Sequence, residues 1–255
     1  MGIKTNIPWC DSTWSPVTGC TPVSPACDNC YARRMSMRFQ GNFDVTMHSD
    51  RLDQPLHWRK PRRIFVCSMS DLFHEMVPDE FITKVFGKIA LCEQHTFMIL
   101  TKRPARMKKY IDSTWGNQMY GGFPNVWLGV TAENQKQVDK RIPILLQTPA
   151  AVRFVSIEPM IGPVSLRWLA AFPENAPTTA MNPHNGGETN ELDGLRRLDW
   201  VIVGGESGPG ARPMQPDWAR SIRDQCQAAG VPFFMKQMAK KEPIPKDLLI
   251  REFPK

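Results

Sequence analysis

Residues 79–104 read DEFITKVFGKIALCEQHTFMILTKRP, and how this stretch divides decides the fold. Asp79 to Glu93 spaces its apolar residues at three and four, the period of an amphipathic helix. Thr96 to Thr101 (TFMILT) is a compact apolar run, as a strand buried on both faces requires. Pro104 then stands at the first turn of a further helix running to about Trp115. A helix feeding a buried strand that feeds a second helix is the repeating unit of a parallel β/α protein.

The same alternation extends both ways. Upstream, Ile64 to Ser68 reads as a buried strand and Tyr31 to Phe39 as a helix, with a short first strand within Pro8 to Val17. Downstream, Val126 to Val130, Val152 to Ile157, Trp200 to Val203 and Val231 to Met235 read as strands. Asn134 to Arg141 and Trp218 to Ala229 read as helices. Six to seven parallel strands predict an α/β fold, a partial (β/α) barrel, in a single domain over residues 1–255. Residues 172–197 carry prolines and glycines without periodicity and are expected to be a surface insertion.

The 255 residues are 42% hydrophobic and 22% charged, the balance of a soluble globular chain. No apolar run approaches the roughly 20 residues needed to cross a bilayer, and the first residues lack the apolar core of a signal peptide. The expected location is therefore the cytoplasm. The formal charge of +7 favours an anionic partner, and HWRKPRR at His57 to Arg63 concentrates it, although a charge run is also what a solvated face looks like.

In a reducing compartment the seven cysteines are thiols or metal ligands rather than disulfides. Three fall within CTPVSPACDNC, residues 20–30, just ahead of a helical run. Cys20, Cys27 and Cys30 can converge on one metal centre. Zinc in a structural site takes four protein ligands, and Cys10 would supply the fourth. An iron–sulfur cube held by three cysteines instead leaves one iron free. Cys67, Cys92 and Cys226 read as small buried hydrophobes.

Sites in parallel β/α proteins form at the carboxyl ends of the strands. Those ends are polar here: Ser70 and Asp71, Lys102, Thr131 and Glu133, Ser156 and Glu158, then Gly204, Gly205 and Glu206. Singly, the acids could be helix caps, Lys102 a surface cation and the glycines turns. Together they mark one rim as a candidate site. Acid–base work by Glu133, Glu158 and Glu206 is a further reading. His57 and His74 are lone histidines, and there is no H-x-x-x-H helix and no G-x-x-x-x-G-K-[ST] loop.

WSPVTGC with the cysteine loop, FVCSMSDLFH, LTKRP, WLGVTAEN, SIEPMIGPV, VIVGGESGPGARPM and FFMKQ resemble the phage Gp37/Gp68 family, a branch of the radical S-adenosylmethionine superfamily. LTK and SIEP are also similar to their counterparts in spore photoproduct lyase and related radical enzymes acting on DNA. The resemblance implies a [4Fe-4S] cluster on Cys20, Cys27 and Cys30, with S-adenosyl-L-methionine (SAM) on the open iron. It implies reductive cleavage to a 5'-deoxyadenosyl radical that abstracts hydrogen from the substrate. The first cysteine gap is three residues longer than the superfamily's commonest spacing. With that cofactor in view, Ser70 and Asp71 become candidates for its ammonium and Lys102 for its carboxylate. Thr131, Glu133 and Ser156 become candidates for its ribose, and Glu158, Gly204, Gly205 and Glu206 for adenine or substrate. The implied partners are a nucleic acid, an electron donor such as flavodoxin or ferredoxin, and no membrane. The implied substrate is a modified thymine in phage DNA, with isomerisation of an amino-acid adduct such as glycinyl-thymidine, in the host cytoplasm if the chain is phage-encoded. The alternative is a zinc-containing nucleic-acid-binding protein without catalysis.

Overall fold

The alternation of strand and helix is built as the sequence predicts. A computed structural model describes residues 3–115, 123–172 and 190–255. The chain divides into two compact units, the first Met1–Val130 with Thr148–Ala151, the second Thr131–Gln147 with Val152–Lys255.

The first unit begins with β1 (Ile3–Lys4), β2 (Ser12–Trp14), β3 (Val17–Thr18), α1 (Tyr31–Gln40) and β4 (Thr46–Met47). It continues through β5 (Arg63–Val66), α2 (Asp79–Ala90), β6 (Thr96–Thr101), α3 (Pro104–Trp115) and β7 (Val126–Thr131), which lies in this unit up to Val130. Strands β2, β5, β6 and β7 run parallel, with Thr13 beside Phe65, Phe65 beside Met98 and Ile99 beside Leu128. Two features were not foreseen. Strand β1 pairs antiparallel with β2, and β3 with β4 makes a small separate ribbon.

Burial explains the helix ends. In α2, Phe81, Ile82, Val85, Phe86 and Ile89 are all buried, while Leu91 is 69% exposed, so the helix stops at Ala90 rather than Glu93. Phe86 stacks 5.7 Å from the ring of Tyr110 on α3, and Trp14 meets Phe97 at 5.8 Å.

The second unit holds α4 (Gln135–Leu146), β8 (Val152–Ile157), β9 (Trp200–Gly204), α5 (Pro216–Ala229) and β10 (Phe233–Gln237). Its three strands are parallel, with Val155 beside Val201 and Phe234 beside Ile202. Four parallel strands in one unit and three in the other supply the seven expected of the partial (β/α) barrel class. Helix α4 runs five residues past the expected end at Arg141, through Pro143. A proline there forfeits a backbone hydrogen bond, but Ile142, Leu145 and Leu146 are buried and hold the helix. After β10 the chain returns: Met235 N donates to Ile250 O at 2.9 Å, and Phe253 packs 5.2 Å from Trp200. Most of the insertion expected at 172–197 lies outside the described residues. Of the part described, Leu195–Arg197 is a single helical turn. Among the described residues no helix is long and apolar enough to cross a membrane.

Three histidines titrate below their ordinary value. Burial lowers His48, with Arg51 adding to it, and lowers His74, with Arg103 adding to it. Burial also lowers His95, against the opposing carbonyls of Pro55 and Trp58. The unfolded chain then binds more protons than the folded one below about pH 6.5, so stability is lost as pH falls through that region. Urea midpoints should drop steadily between about pH 7.5 and about pH 5.5, ahead of carboxylate titration. A flat profile over that interval would contradict the assignment.

Candidate metal centre

The cysteine loop leaves β3 through a glycine whose place a side chain cannot take. Gly19 has φ 79°, and a Cβ there would lie 2.0 Å from Asp44 O. Gly19 bridges in parallel register to Ser70, and Ser70 Oγ donates to Val17 O at 2.6 Å. The loop is thereby joined to the residues that follow β5. Its middle is one helical turn, Pro25–Cys27, in which Cys27 N donates to Ser24 O at 2.8 Å and Cys30 N to Cys27 O at 3.3 Å. Cys30 caps α1, whose first turn contains no acid, and Tyr31 Oη donates to Ser68 O.

Arg103, at the carboxyl end of β6, clamps this loop. Its Nε donates to both Glu75 oxygens at 3.0 Å. Its Nη1 donates to Asp71 Oδ2 at 3.2 Å and to Cys20 Sγ at 3.5 Å. Its Nη2 donates to Thr21 O at 3.1 Å and Thr21 Oγ1 at 3.0 Å. Thr21 Oγ1 is also 2.8 Å from His74 Nε2. Arg103 is 6% exposed, so its charge is sheltered along with these bonds. Burial works against the guanidinium's proton, but Asp71, Cys20 and Glu75 outweigh it and hold its pKa above the usual value. Burial pushes the Cys20 thiol up, while Arg103 pulls the other way.

Asp71 is filled from within the chain. Besides Arg103 it accepts from Thr101 Oγ1 at 2.8 Å, Phe73 N at 3.0 Å and Lys102 N at 3.1 Å. Its geometry therefore suits orienting Arg103 better than receiving a ligand's ammonium. Ser70 likewise has its hydroxyl on Val17, and Lys102 contributes its amide. The strand end also carries Arg103, next to Lys102. The signal for Arg103 was a second cation at the strand end, in LTKRP, facing acids at Asp71 and Glu75.

The donor set fits an iron–sulfur cluster better than a lone ion. Cys20, Cys27 and Cys30 are half-buried, whereas Cys10, Cys67, Cys92 and Cys226 are buried. Burial pushes the Cys67 and Cys226 thiols up to about 12. Among the described residues no three of His, Cys, Asp and Glu close on one point as a single ion's ligands do. Cys10, the fourth ligand of the four-cysteine zinc reading, precedes β2, while the loop follows β3. Cys10 is buried, unlike the three loop cysteines, so the four do not form one equally exposed set. In a cube each thiolate takes its own iron, so three reachable thiols on one clamped loop suffice.

HWRKPRR leads into the amino end of β5, the edge opposite the cysteine loop. Arg62 Nη1 donates to Ser12 Oγ at 2.8 Å and stacks 5.1 Å from the Trp58 ring, and Arg63 N donates to Asp11. The segment thus lies away from the loop's rim.

The second unit carries the other candidates. Thr131 is buried, and its carbonyl accepts from Arg141 Nη1 at 2.7 Å. Glu133 is fully buried and pairs with Arg141 at 2.9 Å. Glu158 pairs with Lys236, and Glu206 accepts from Arg212 N at 2.8 Å and Nε at 3.1 Å. With a cation on each, these three acids do not form the free carboxylate pair that hydrolytic acid–base work needs. A Cβ on Gly204 would lie 3.3 Å from the Glu158 side chain, so Gly204 leaves room for Glu158 to reach across β9 to Lys236. A Cβ on Gly205 would lie 2.3 Å from Ala239 N, a close backbone approach. Ser156 Oγ is buried without a hydrogen-bond partner among the described residues.

The family model described as "Protein of unknown function (DUF5131)" matches residues 4–247. The chain belongs to the DUF5131 family. No curated protein matches it. Two solved structures similar to this DUF5131 chain are a spore photoproduct lyase double mutant with bound AdoMet and dinucleoside spore photoproduct, and spore photoproduct lyase complexed with dinucleoside spore photoproduct. The first has 11% identity and TM-score 0.48, the second 10% and 0.42. Each match covers 88% of this chain and 63% of the other, so the DUF5131 chain spans less than two thirds of those proteins. None of these matches names the phage Gp37/Gp68 family.

Two outcomes follow for the DUF5131 chain. Arg103→Ala strands a buried Asp71 and should cost about 3–5 kcal/mol in denaturant unfolding. Arg103→Lys, which lacks the planar fork, should recover only a minor part. In metal-free native protein, alkylation read by mass spectrometry should modify Cys20, Cys27 and Cys30 and spare the other four. Labelling of all seven at similar rates would contradict the described burial.

Proposed function

We propose that this chain is a radical S-adenosylmethionine enzyme in which Cys20, Cys27 and Cys30 hold a [4Fe-4S] cluster and whose substrate is a base in nucleic acid. One observation carries the reading: three accessible thiols on a single loop at the carboxyl ends of parallel strands, with Cys20 held by a guanidinium whose every donor is engaged. Bound there, a cluster with one iron lacking a protein ligand supplies the electron that splits the sulfonium of SAM, and the resulting carbon radical takes hydrogen from the substrate.

The chain's own residues have narrower tasks. Arg103 places Cys20 and donates a hydrogen bond to its sulfur, which raises a cluster's potential. Asp71 and Glu75 hold Arg103, and Ser70 ties the loop to the segment after β5. Lys102 remains the first unit's candidate for a ligand carboxylate. In the second unit, Ser156 is the foremost candidate for contact with a ligand hydroxyl, because its buried oxygen has no partner among the described residues. Thr131, Glu158 and Gly204 stand near the same strand ends. Glu133, Gly205 and Glu206 are engaged within the protein and are assigned support of those ends.

The finer proposal is a modified thymine in phage DNA, with isomerisation of an amino-acid adduct such as glycinyl-thymidine. The motif resemblance and the charge of +7 support it. A carbon-centred rearrangement needs radical chemistry, and the base must leave the stack to be reached. A flavodoxin- or ferredoxin-type protein would supply the electron, in the host cytoplasm if the chain is phage-encoded.

Anaerobic reconstitution with iron and sulfide should give about four of each per chain, a brown protein bleached by dithionite, and 5'-deoxyadenosine on addition of SAM. Changing Cys20, Cys27 and Cys30 together to alanine should abolish all three results. A colourless protein holding one zinc, or unaltered behaviour in the triple variant, would overturn the reading.

A further inference from the structure

The residues just after β10 form a turn that its sequence does not suit. Ala239 O accepts from Glu242 N at 3.0 Å, and between them Lys240 has φ 55°, ψ 16° and Lys241 φ 60°. Two successive left-handed residues closed by a bond from the first residue to the fourth make a type I′ turn. Its central positions favour Asn and Gly. In that conformation a Cβ crowds the following carbonyl, a cost glycine avoids.

Neighbours hold the turn in place. Lys240 N donates to Glu206 O at 2.9 Å, Ala239 and Met238 are each 2% exposed, and Gly205 lies against the Ala239 backbone. The backbone is therefore fixed from below while the two side chains project into solvent. Nearby Lys236 and Arg212 are paired with Glu158 and Glu206. Lys240 and Lys241 have no ion-pair partner among the described residues. They stand at the carboxyl ends of β9 and β10, the edge where ligands of parallel sheets bind.

We propose that Lys240 and Lys241 form a phosphate-gripping turn that contacts the backbone of a nucleic acid, kept as lysine at the expense of stability. The proposal rests on the nucleic-acid reading above and gives it a surface. Duplex DNA presents a charge about every 1.7 Å of its axis, so two adjacent cations find phosphates in any register. That suits a contact which positions the polymer without reading its sequence.

The test uses the full-length chain with Lys240→Asn and Lys241→Gly together, a pair matched to the turn but uncharged. Binding of a fluorescent duplex of about two helical turns is followed over a salt series, beside thermal unfolding. The melting temperature should rise by about 2–4 °C. The slope of log affinity against log salt should fall by about 2, near 0.9 per lost phosphate contact, and low-salt affinity should drop about ten-fold. Arg59→Gly with Lys60→Gly, ahead of β5, should leave the slope unchanged.

Unchanged DNA binding in the Asn-Gly variant would overturn the proposal, whatever its melting temperature. So would a lower melting temperature, or polyglutamate competing as well as DNA at equal charge. A wild-type chain that binds no duplex would sink the nucleic-acid reading as well, whereas iron and sulfide content bears on neither lysine.

Discussion

The first unit depends on one planar cation. Arg103 is nearly buried and has a partner for each of its five N–H groups, drawn from Glu75, Asp71, Cys20 and Thr21. Such a charge is tolerated away from water only when paired and fully hydrogen-bonded, and the rigid fork of arginine meets that condition where the single point of a lysine does not. Because its partners come from the cysteine loop and from the segment after β5, satisfying one guanidinium ties Cys20 and Thr21 to that segment. The loop's prolines and Gly19 shape it, but Arg103 anchors it.

The central strands were legible because burial on both faces leaves a continuous apolar run. TFMILT coincides with β6, residues Thr96–Thr101, and VRFVSI with β8. Helix α4 was read short because Asn134 to Arg141 is followed by Pro143, and only the buried Leu145 and Leu146 explain why the helix continues. The β3–β4 ribbon and the return of Ile250 to β10 rest on pairing between distant segments of two or three residues, which carry no period. Among site residues, the loop cysteines are visible from their spacing alone. Arg103 was masked by the adjacent Lys102, since sequence cannot say which of two neighbouring cations turns inward. HWRKPRR shows the converse: its charge is obvious, but its place at the amino end of β5 follows only from the direction of the strand.

The second unit separates two kinds of polar residue that look alike in sequence. Glu133, Glu158 and Glu206 each meet a cation, and Gly205 is a glycine because the Ala239 backbone approaches too closely for a side chain. Glu133, Gly205 and Glu206 thereby support the strand ends. Ser156, and the two lysines in their unsuited turn, are not accounted for within the described protein. Polar groups whose cost the fold does not offset are the ones that point outward to a function.

The proposed function requires a cluster iron that Cys20, Cys27 and Cys30 would leave without a protein ligand. Electron–nuclear double resonance on the reduced, reconstituted chain with SAM labelled with nitrogen-15 at its amino group addresses it directly. A nitrogen coupling to the cluster, absent without SAM, is the predicted result. A reduced cluster whose spectrum is identical with and without the labelled molecule would contradict it.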